Sequence, residues 1–573
     1  AKLSERIKEG GDTQVAIVYP ELIPDPEHMY EPFPLTDVQM AYLMGREDHF
    51  EMGGVSTHGY TEIKTDFDMD RFNFALQQVI QYQPMMRAVV FPRGEQVILE
   101  NVPEYRITVV DLTHMSSSKQ QERIVSERER MSHYVFPTDQ WPLFEYKAFK
   151  LSEGIHYLFI SYDMLITDGA SIQLIGKLLV KFYHEPNWMP SQLQSTFRDY
   201  ILALQHFKNS ETYKKDKLYW LNKLGDFPAA PELPLRADPS SVTEPRFCRL
   251  EQEIDRETWE KIKKQAYKYN ITPTAALLTA YAEVMAFWSN QPHLAVSLTV
   301  FNRLPFHQDV NDMVGDFTSV ILIEIDFRSE KGYWERAKQI QERLLESLEH
   351  RHYDGIELIR EISKCHNYGN RAVMPIVFTS MLLGTKERGE VSWYELGEIQ
   401  MGAGQTSQVY LDHQLFEDNG SLRLVWDYVE QLFDENVIHT MFKQYIDTLT
   451  LHTNCIKNTE QEMKLMESYN NTEKPIPYST LHGLFEEWAA RTPEAVALMH
   501  KDECLTYGEL QKRSNQIARY LQEQGVCRGD YVSVLASRSI ATVANVIGIL
   551  KAGAAYVPVD PDYPEERRHY IHE

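Results

Sequence analysis

The 573-residue chain contains no uninterrupted apolar stretch of the roughly 20 residues that a membrane-spanning helix needs. Its first residues, AKLSERIKEGGDTQ, are polar and lack the apolar core of a secretory signal. Apolar residues nevertheless make up 43% of the chain, which is enough to bury a core in several domains. We therefore expect a globular, cytoplasmic protein of about three or four domain-sized units.

Basic residues are in short supply. Asp and Glu number 83 against 58 Lys and Arg, which gives a formal net charge of −25. Binding to nucleic acid or to an anionic membrane requires clustered positive charge. The composition therefore argues against both nucleic acid and membrane as partners.

Cysteine is also scarce, and its five copies are scattered along the chain. No two of them form a CxxC pair and their number is odd, so neither a disulfide framework nor a zinc site is indicated. We expect reduced thiols and no metal centre. The five residues are Cys248, Cys365, Cys455, Cys504 and Cys527.

Polar, proline-containing stretches divide the chain. One ends near residue 28, a second spans 226–245 and is typical of a crossing between two similar halves, and a third follows residue 455. The predicted domains are a linker at 1–28, an amino-terminal lobe at 29–205, a carboxyl-terminal lobe at 206–455, a linker at 456–480 and a further domain at 481–573.

Helix and strand patterns alternate in both halves, which indicates a mixed α/β fold. In the first half an apolar strand at 157–162 leads through a short loop into an amphipathic helix at 171–183. In the second half Thr272, with a proline behind it, caps a helix that runs to residue 288. Further strands are predicted at 295–301, 320–325, 375–379 and 422–426.

The loop after strand 157–162 carries two carboxylates, Asp163 and Asp168, and then Gly169. Unpaired buried charge is costly, so these side chains need partners or a chemical task. Residues 164–167 between them read MLIT, and none can accept a proton at neutral pH. An unperturbed aspartate is itself a weak base with a pKa of about 4. The motif therefore favours a structural role in holding the loop.

The segment Phe33–Arg46, FPLTDVQMAYLMGR, resembles the first signature of the heterocyclization domains of nonribosomal peptide synthetases, FPLTxxQxAYxxGR. Further signatures follow in the order of that family, among them DxxxxDGxS at 163–171 and a stretch at 406–414 that is similar to TPQVxLDHQ. The second signature departs from the usual RHPML, because residues 81–86 read QYQPMM. The resemblance covers about residues 30 to 455.

The last predicted domain carries a resemblance of its own. LTYGEL at 505–510 and LKAGAAYVPVD at 550–560 are similar to the first two core motifs of adenylation domains. The glycine-rich phosphate loop, the acidic catalytic motifs and the carboxyl-terminal lysine of such domains are missing from the sequence. We therefore expect 481–573 to be the N-terminal fragment of an adenylation domain and not to adenylate a substrate.

The resemblance implies two chloramphenicol-acetyltransferase-like α/β lobes that form a V-shaped pseudo-dimer, followed by a truncated α/β adenylation-domain fragment. It also implies an activity. A carrier-bound acyl or aminoacyl thioester is condensed with carrier-bound Cys, or with Ser or Thr, and the product is cyclodehydrated to a thiazoline or an oxazoline. Two alternatives remain open: a condensation domain that makes only a linear amide, and a noncatalytic carrier-docking module.

Partners and cofactors follow from the same resemblance. The expected partners are an upstream donor and a downstream acceptor peptidyl carrier domain, together with the rest of the adenylation domain. The carriers bring 4′-phosphopantetheine arms, and this chain is expected to bind no cofactor itself. ATP is expected only for an intact adenylation domain.

Ordinary condensation domains are similar in fold and carry HHxxxDG. That pattern places Asp163 at the first histidine and Met164 at the second, which usually has the active role. A thioether accepts no proton at neutral pH, so a direct copy of the histidine mechanism is excluded. The resemblance suggests Arg303 as the buried partner of Asp168, with Arg87 as the second choice.

Proton transfer for ring closure must then come from another group. The resemblance favours Asp412, which would act first as a base and then as an acid if its pKa is raised. Thr379 could position Asp412 or donate to a developing oxyanion. Asn302 could orient the substrate amide. The alternatives are a turn-capping Asp, a strand Thr and a loop-stabilising Asn.

Several other polar residues receive structural interpretations. His413 follows Asp412 on an extended segment, so it should point to the opposite face. His350 and His352 lack a third metal ligand at suitable spacing. The GAG sequence at 402–404 lacks the full dinucleotide-binding fingerprint.

Overall fold

Two large β-sheets organise the chain up to residue 457. The structure is a computed structural model that describes residues 19–47, 50–382, 393–418, 420–452, 480–501 and 503–572. Most of both predicted linkers, and Cys455, lie outside these residues. The chain divides into two units, Ala1–Lys457 and Asn458–Glu573.

The first unit alternates helices and strands. Its strands are β1 (Phe33–Pro34), β2 (His58–Thr65), β3 (Ala88–Phe91), β4 (Glu95–Ile98), β5 (Thr108–Asp111), β6 (Phe144–Ser152), β7 (Ile155–Asp163), β8 (Phe247–Ile254), β9 (His293–Phe301), β10 (Thr318–Asp326), β11 (Ile376–Met381), β12 (Glu398–Gln405), β13 (Leu411–Asp418) and β14 (Ser421–Val429). Its helices are α1 (Asp37–Met44), α2 (Met69–Tyr82), α3 (Ser117–Ser132), α4 (Gly169–His184), α5 (Phe197–Phe207), α6 (Glu211–Lys223), α7 (Arg256–Lys268), α8 (Pro273–Ser289), α9 (Tyr333–Glu349), α10 (Gly355–His366) and α11 (Glu435–His452).

The first sheet has the strand order β12-β2-β7-β6-β5, and the second has the order β10-β9-β11-β13-β14-β8. In the second sheet β11 runs parallel to both β9 and β13, while the other neighbours are antiparallel. A small third sheet has the order β1-β4-β3. The predicted mixed α/β class is confirmed.

Local sequence signals determine where the elements next to the site begin. The apolar run before Asp163 forms β7, and α4 begins after Asp168, whose side chain accepts a hydrogen bond from the Ser171 N–H at 2.6 Å. Such a cap satisfies one of the free amides of the first helical turn. Thr272 caps α8 in the same way, accepting from the Ala275 N–H at 3.2 Å. The Thr272 cap matches the sequence prediction, whereas α4 begins at Gly169, two residues before the predicted start at 171.

Strand β12 crosses from the second half of the chain into the first sheet. The sequence places residues 398–405 in the predicted carboxyl-terminal lobe, but β12 pairs antiparallel with β2. In return Met52, from the loop after α1, is buried among the core residues of the second sheet. Each lobe therefore contributes residues to the other: a strand in one direction and a buried side chain in the other. A single boundary at residue 206 does not describe this arrangement.

The second unit contains helices and two short two-stranded sheets. Its elements are α12 (Leu481–Arg491), β15 (Val496–His500), β16 (Glu503–Thr506), α13 (Tyr507–Glu523), β17 (Tyr531–Leu535), α14 (Ile540–Lys551), β18 (Ala555–Val559) and α15 (Glu565–His572). Strands β15 and β16 pair antiparallel, and β17 and β18 pair parallel.

The four described cysteines, Cys248, Cys365, Cys504 and Cys527, are free. Within the described ranges no helix combines the length and the apolarity needed to cross a membrane.

The exchange between the lobes predicts that Met52 contributes to stability. Its side chain is only 1% exposed, so Met52→Ala should leave a cavity and lower the free energy of unfolding by roughly 2–5 kcal/mol. Urea unfolding followed by tryptophan fluorescence measures the change. The matched control is Met189→Ala, since Met189 is 87% exposed and should change stability by less than about 0.5 kcal/mol. Equal effects of the two changes would contradict the packing role of Met52.

Candidate active site

A cavity of about 570 Å³ lies between the two large sheets. Residues of β2, β7 and β12 line it from the first sheet, and residues of β9, β11 and β13 line it from the second. Asp412, Thr379 and Asp168 are among the lining residues. Asn302 and Arg303 are not part of the lining that the described residues form. The structure thus brings two of the three predicted reactive residues together at one cavity.

Thr379 and Asp412 lie on the neighbouring strands β11 and β13. The Thr379 hydroxyl is 3.2 Å from Asp412 Oδ1 and 3.0 Å from the Thr299 hydroxyl on β9. A carboxylate only accepts, and a hydroxyl has one proton to donate. Thr379 is the donor in both contacts, so its one proton lies between the Thr299 hydroxyl and the Asp412 carboxylate. This is the contact that a positioning role for Thr379 requires.

Gln414 holds the second oxygen of Asp412. Its Nε2 donates to Asp412 Oδ2 at 2.7 Å and also lies 3.1 Å from Asp427 Oδ2. Asp427, on β14, accepts two further bonds from Arg249 on β8, at 2.7 and 2.6 Å. A continuous polar chain therefore crosses the second sheet from β9 to β8.

Burial and the negative charge of Asp427 together raise the pKa of Asp412 to about 6, although the hydrogen bonds from Gln414 and Thr379 lower it in part. At neutral pH the group is therefore mostly ionised but protonates readily. A carboxyl with such a pKa can take up a proton in one step of a reaction and return it in the next. Asp412 therefore has the chemical properties that an acid–base group in this cavity would need.

Asp168 is fully engaged in the structure around it. Besides capping α4, it accepts from the Phe317 N–H at 3.1 Å and lies 3.4 Å from Arg303 Nη2. Arg303 also donates to the Ser171 hydroxyl at 2.9 Å and lies over the Phe317 ring, 4.0 Å from its centroid. Arg87, the second choice as partner, donates instead to the backbone carbonyls of residues 80, 81 and 99. The contacts of Asp168 join α4 to the segment between β9 and β10.

Asp163 has a partner that the sequence did not reveal. Its carboxylate is completely buried, pairs with Arg46, and accepts from the Ser56 hydroxyl and the Leu165 N–H, both at 3.0 Å. Arg46 is the last residue of the first signature and its only basic residue. The motif therefore contained a candidate partner for Asp163. Neighbouring Met164 faces the cavity. The carboxylate that occupies the place of a histidine is thus held by an ion pair.

Asn302 and His413 do not join the group around Asp412. The Asn302 side-chain oxygen accepts from Arg351 Nε at 3.2 Å. His413 is buried on the opposite face of β13, where it contacts the Val425 carbonyl at 3.0 Å and the Tyr445 hydroxyl at 2.9 Å. Burial lowers the pKa of His413 to about 3, so this ring is neutral at physiological pH.

The other polar residues singled out in the sequence have structural contacts. His350 and His352 both contact Asp216, with Nδ1 to carboxylate distances of 2.9 and 2.7 Å. Among the described residues no three His, Cys, Asp or Glu side chains are placed to hold a metal ion. The GAG sequence at 402–404 lies within β12, where a Cβ on Gly402 would come within 2.4 Å of Arg249. These glycines therefore permit close approach of the strand to the polar chain of the second sheet.

Comparisons with known proteins agree with this architecture. The family model described as Condensation domain matches residues 30–475, and the one described as AMP-binding enzyme matches residues 485–573. The EpoB NRPS cyclization-docking bidomain from Sorangium cellulosum is 36% identical, with a TM-score of 0.72 over 76% of this chain and 88% of that chain.

Two curated relatives are similar over nearly the whole chain. Bacitracin synthase 1 from Bacillus licheniformis is 43% identical over 553 residues, which are 96% of this chain and 10% of that protein. Phenyloxazoline synthase MbtB from Mycolicibacterium paratuberculosis is 29% identical over 562 residues, which are 96% of this chain and 47% of that protein. The chain thus spans from a tenth to about half of the length of these relatives.

The contacts of Asp168 predict a large loss of stability on truncation. Asp168→Ala removes the partner of buried Arg303, which should cost roughly 3–5 kcal/mol in urea unfolding. Asp168→Asn keeps an acceptor for the Ser171 N–H and should lose less. The double variant Asp168→Ala/Arg303→Met removes the stranded charge and should recover part of the loss. Wild-type stability of Asp168→Ala would refute the anchoring role.

Proposed function

We propose a heterocyclization function, on the premise that this chain belongs to the condensation-domain family. In this proposal the first unit condenses a carrier-bound acyl or aminoacyl thioester with carrier-bound Cys, or with Ser or Thr. It then cyclodehydrates the product to a thiazoline or an oxazoline. The likeness to a cyclization domain and to a phenyloxazoline synthase supports ring formation over simple condensation.

One observation carries the proposal: Asp412 faces the cavity with a raised pKa and a hydrogen bond from Thr379. Cyclodehydration needs a group that takes up a proton in one step and returns it in the next, and a carboxyl with a raised pKa can do both. The loop Asp163–Gly169, where related domains have histidines, supplies no free base, because the carboxylates of Asp163 and Asp168 are both occupied. We assign Asp163, Asp168 and Arg303 to the scaffold.

The proposed reaction has two stages, condensation and then cyclodehydration. The substrate amine attacks the thioester carbonyl carbon, a C–N bond forms, the C–S bond breaks, and the donor thiol leaves. The side-chain thiol then attacks the new amide carbon and passes its proton to Asp412. Asp412 returns that proton to the former carbonyl oxygen. As the C=N bond forms and the C–O bond breaks, Asp412 takes up the nitrogen proton and passes it to the departing hydroxyl, which leaves as water.

Each residue has a defined part in this proposal. Asp412 is the base in the addition step and the acid in the elimination step. Thr379 either positions the Asp412 carboxylate or donates its one proton to the developing oxyanion. For Asn302, orientation of the substrate amide stays a prediction, because its side-chain oxygen bonds to Arg351. Cysteine is the favoured nucleophile, since a thiolate forms far more readily than an alkoxide.

The proposal also includes the partners. Donor and acceptor peptidyl carrier domains present their thioesters on 4′-phosphopantetheine arms, and this chain holds no cofactor of its own. Residues 485–573 match the beginning of an AMP-binding domain, whose ATP chemistry belongs to an intact domain. The cytoplasm remains the predicted location.

Substitution of the two cavity residues tests the assignment. With an aminoacyl carrier and a cysteinyl carrier, Asp412→Asn should slow cyclisation at least about 100-fold, as expected for loss of a general acid–base. Thr379→Ala should slow it roughly 10- to 100-fold, as expected for a lost hydrogen bond to a charged group. Linear condensation should survive in both variants. Intact-mass analysis separates the products, because the ring is lighter by one water.

Matched controls are available in the same fold. Ser380→Ala changes the neighbouring β11 residue, which bonds to Thr274 and not to Asp412. Asp354→Asn removes another carboxyl whose pKa burial raises, to about 7, and which does not line the cavity. Both controls should cyclise normally. Full cyclisation by Asp412→Asn would reject the assignment, and a linear product alone from the wild type would reject ring formation.

The rate of cyclisation should also depend on pH. Asp412 must begin ionised to accept the thiol proton, so the rate should rise with pH through a midpoint of about 6 and then level off. Protonation below that pH removes the base. The residual activity of Asp412→Asn should lack this midpoint. A profile that stays flat from about pH 5 to 8 in the wild type would be inconsistent with the role of Asp412.

A further inference from the structure

A second carboxylate, Asp427, lies directly across from Asp412 on the adjacent antiparallel strand. Like charges in this position destabilise a pair of strands. Asp427 is only 2% exposed, so water does not screen its charge. The pair therefore persists only because other groups compensate it.

Arg249 supplies the main compensation. It faces Asp427 on the other side, on β8, and its guanidinium binds both carboxylate oxygens, at 2.7 and 2.6 Å. Bidentate pairing with an arginine fixes a carboxylate in orientation as well as in charge. Asp427 is thus held as an oriented anion next to Asp412.

Gln414 transmits this orientation to Asp412. A side-chain amide nitrogen carries two protons, and here one points to Asp412 Oδ2 at 2.7 Å and the other to Asp427 Oδ2 at 3.1 Å. The position of Asp427 therefore determines where the Gln414 amide lies. Oδ2 of Asp412 is bound in this bridge, and Oδ1 remains beside Thr379 at the cavity.

The crossing strand closes over the bridge. The Gly404 N–H of β12 donates to Asp427. A Cβ at Gly404 would come within 2.8 Å of Asp427 Oδ2 and 3.3 Å of Gln414 Nε2. The absence of a side chain here lets the first sheet contact the polar chain of the second.

We propose that Asp427 is a positioning residue for cyclodehydration, which acts through the Gln414 bridge to orient Asp412 and keeps a fixed negative charge beside it. The inference rests on the proposed function of Asp412 and extends it. Asp427 touches no reacting atom in this scheme. Its charge makes Asp412 a stronger base, so that Asp412 can take up a proton at a pH where an ordinary aspartate stays ionised.

Other charged and titratable groups around the pair have defined states. From β8, Arg249 lowers the pKa of Asp412, and Glu251 is itself paired with Arg423 of β14. The hydroxyl of Tyr42, from α1, and that of Tyr281, from α8, are neutral because burial raises the pKa of each well above 10. Asp427 is thus the negative group whose removal changes the protonation of Asp412 most directly.

Two variants of the full chain test the proposal through pH profiles of cyclisation with loaded carriers. Asp427→Asn removes the like charge, so the midpoint should fall by about one pH unit. Gln414→Leu leaves both carboxylates and removes a hydrogen bond that stabilises ionised Asp412, so the midpoint should rise. Both variants should slow cyclisation at the pH plateau, because Asp412 loses its orientation.

The matched control is Glu62→Gln. Glu62 is a completely buried carboxylate that Arg128 binds through two bonds, at 2.5 and 2.6 Å, and it does not line the cavity. Its midpoint should equal that of the wild type. If the wild type forms rings and neither Asp427→Asn nor Gln414→Leu moves the midpoint, the positioning role is wrong while the proposed function stands. If the wild type forms no ring, the proposed function itself fails.

Discussion

The backbone ladder between β12 and β2 is the contact on which the site depends. The chain leaves the second sheet after β11, which carries Thr379, adds β12 to the first sheet, and returns as β13, which carries Asp412. The sheets cannot separate without breaking this ladder, whose backbone groups would then lose their partners. A second tie runs from Asp168 on α4 to Arg303 and the Phe317 N–H. Both walls of the cavity are thereby fixed to the same backbone.

Four buried or half-buried aspartates around the cavity show how the same side chain acquires different roles. Asp163, Asp168 and Asp427 each face an arginine and accept further N–H or O–H donors. Among the described residues, Asp412 accepts from two neutral donors, an amide and a hydroxyl. Burial raises the pKa of both Asp412 and Asp427, but Asp427 has a directly bound arginine that offsets part of this cost. The direct arginine partner therefore distinguishes the scaffold carboxylates from Asp412.

Local features of the fold could be predicted from the sequence, because their causes lie within a few residues. Strand β7, helix α4 and the Thr272 cap of α8 follow from apolar periodicity and capping residues. The transfer of β12 into the first sheet could not be predicted, since strand propensity does not specify which strand is the partner. The glycines Gly402 and Gly404 indicate in the sequence that another element comes close to this backbone, but they do not indicate which element it is.

The partners of the buried charges could not be predicted either, because they lie far away in the sequence. Arg46 lies 117 residues from Asp163, and Arg249 lies 178 residues from Asp427. Asp412 and Thr379 were found through the resemblance to a family, because an Asp on a strand and a Thr on a strand are unremarkable in isolation. The contact of Asn302 with Arg351 could not be predicted either, because the two residues lie 49 positions apart in the chain.

The net charge of the polar chain explains why a proton goes to Asp412. With both carboxylates ionised, Arg249, Asp427 and Asp412 together carry one negative charge at the edge of an apolar cavity. Uptake of a single proton makes the group neutral, which burial favours. That proton cannot go to Asp427 without giving up its bidentate pairing with Arg249. It therefore binds to Asp412, beside Thr379 and the space where the substrate amide would react.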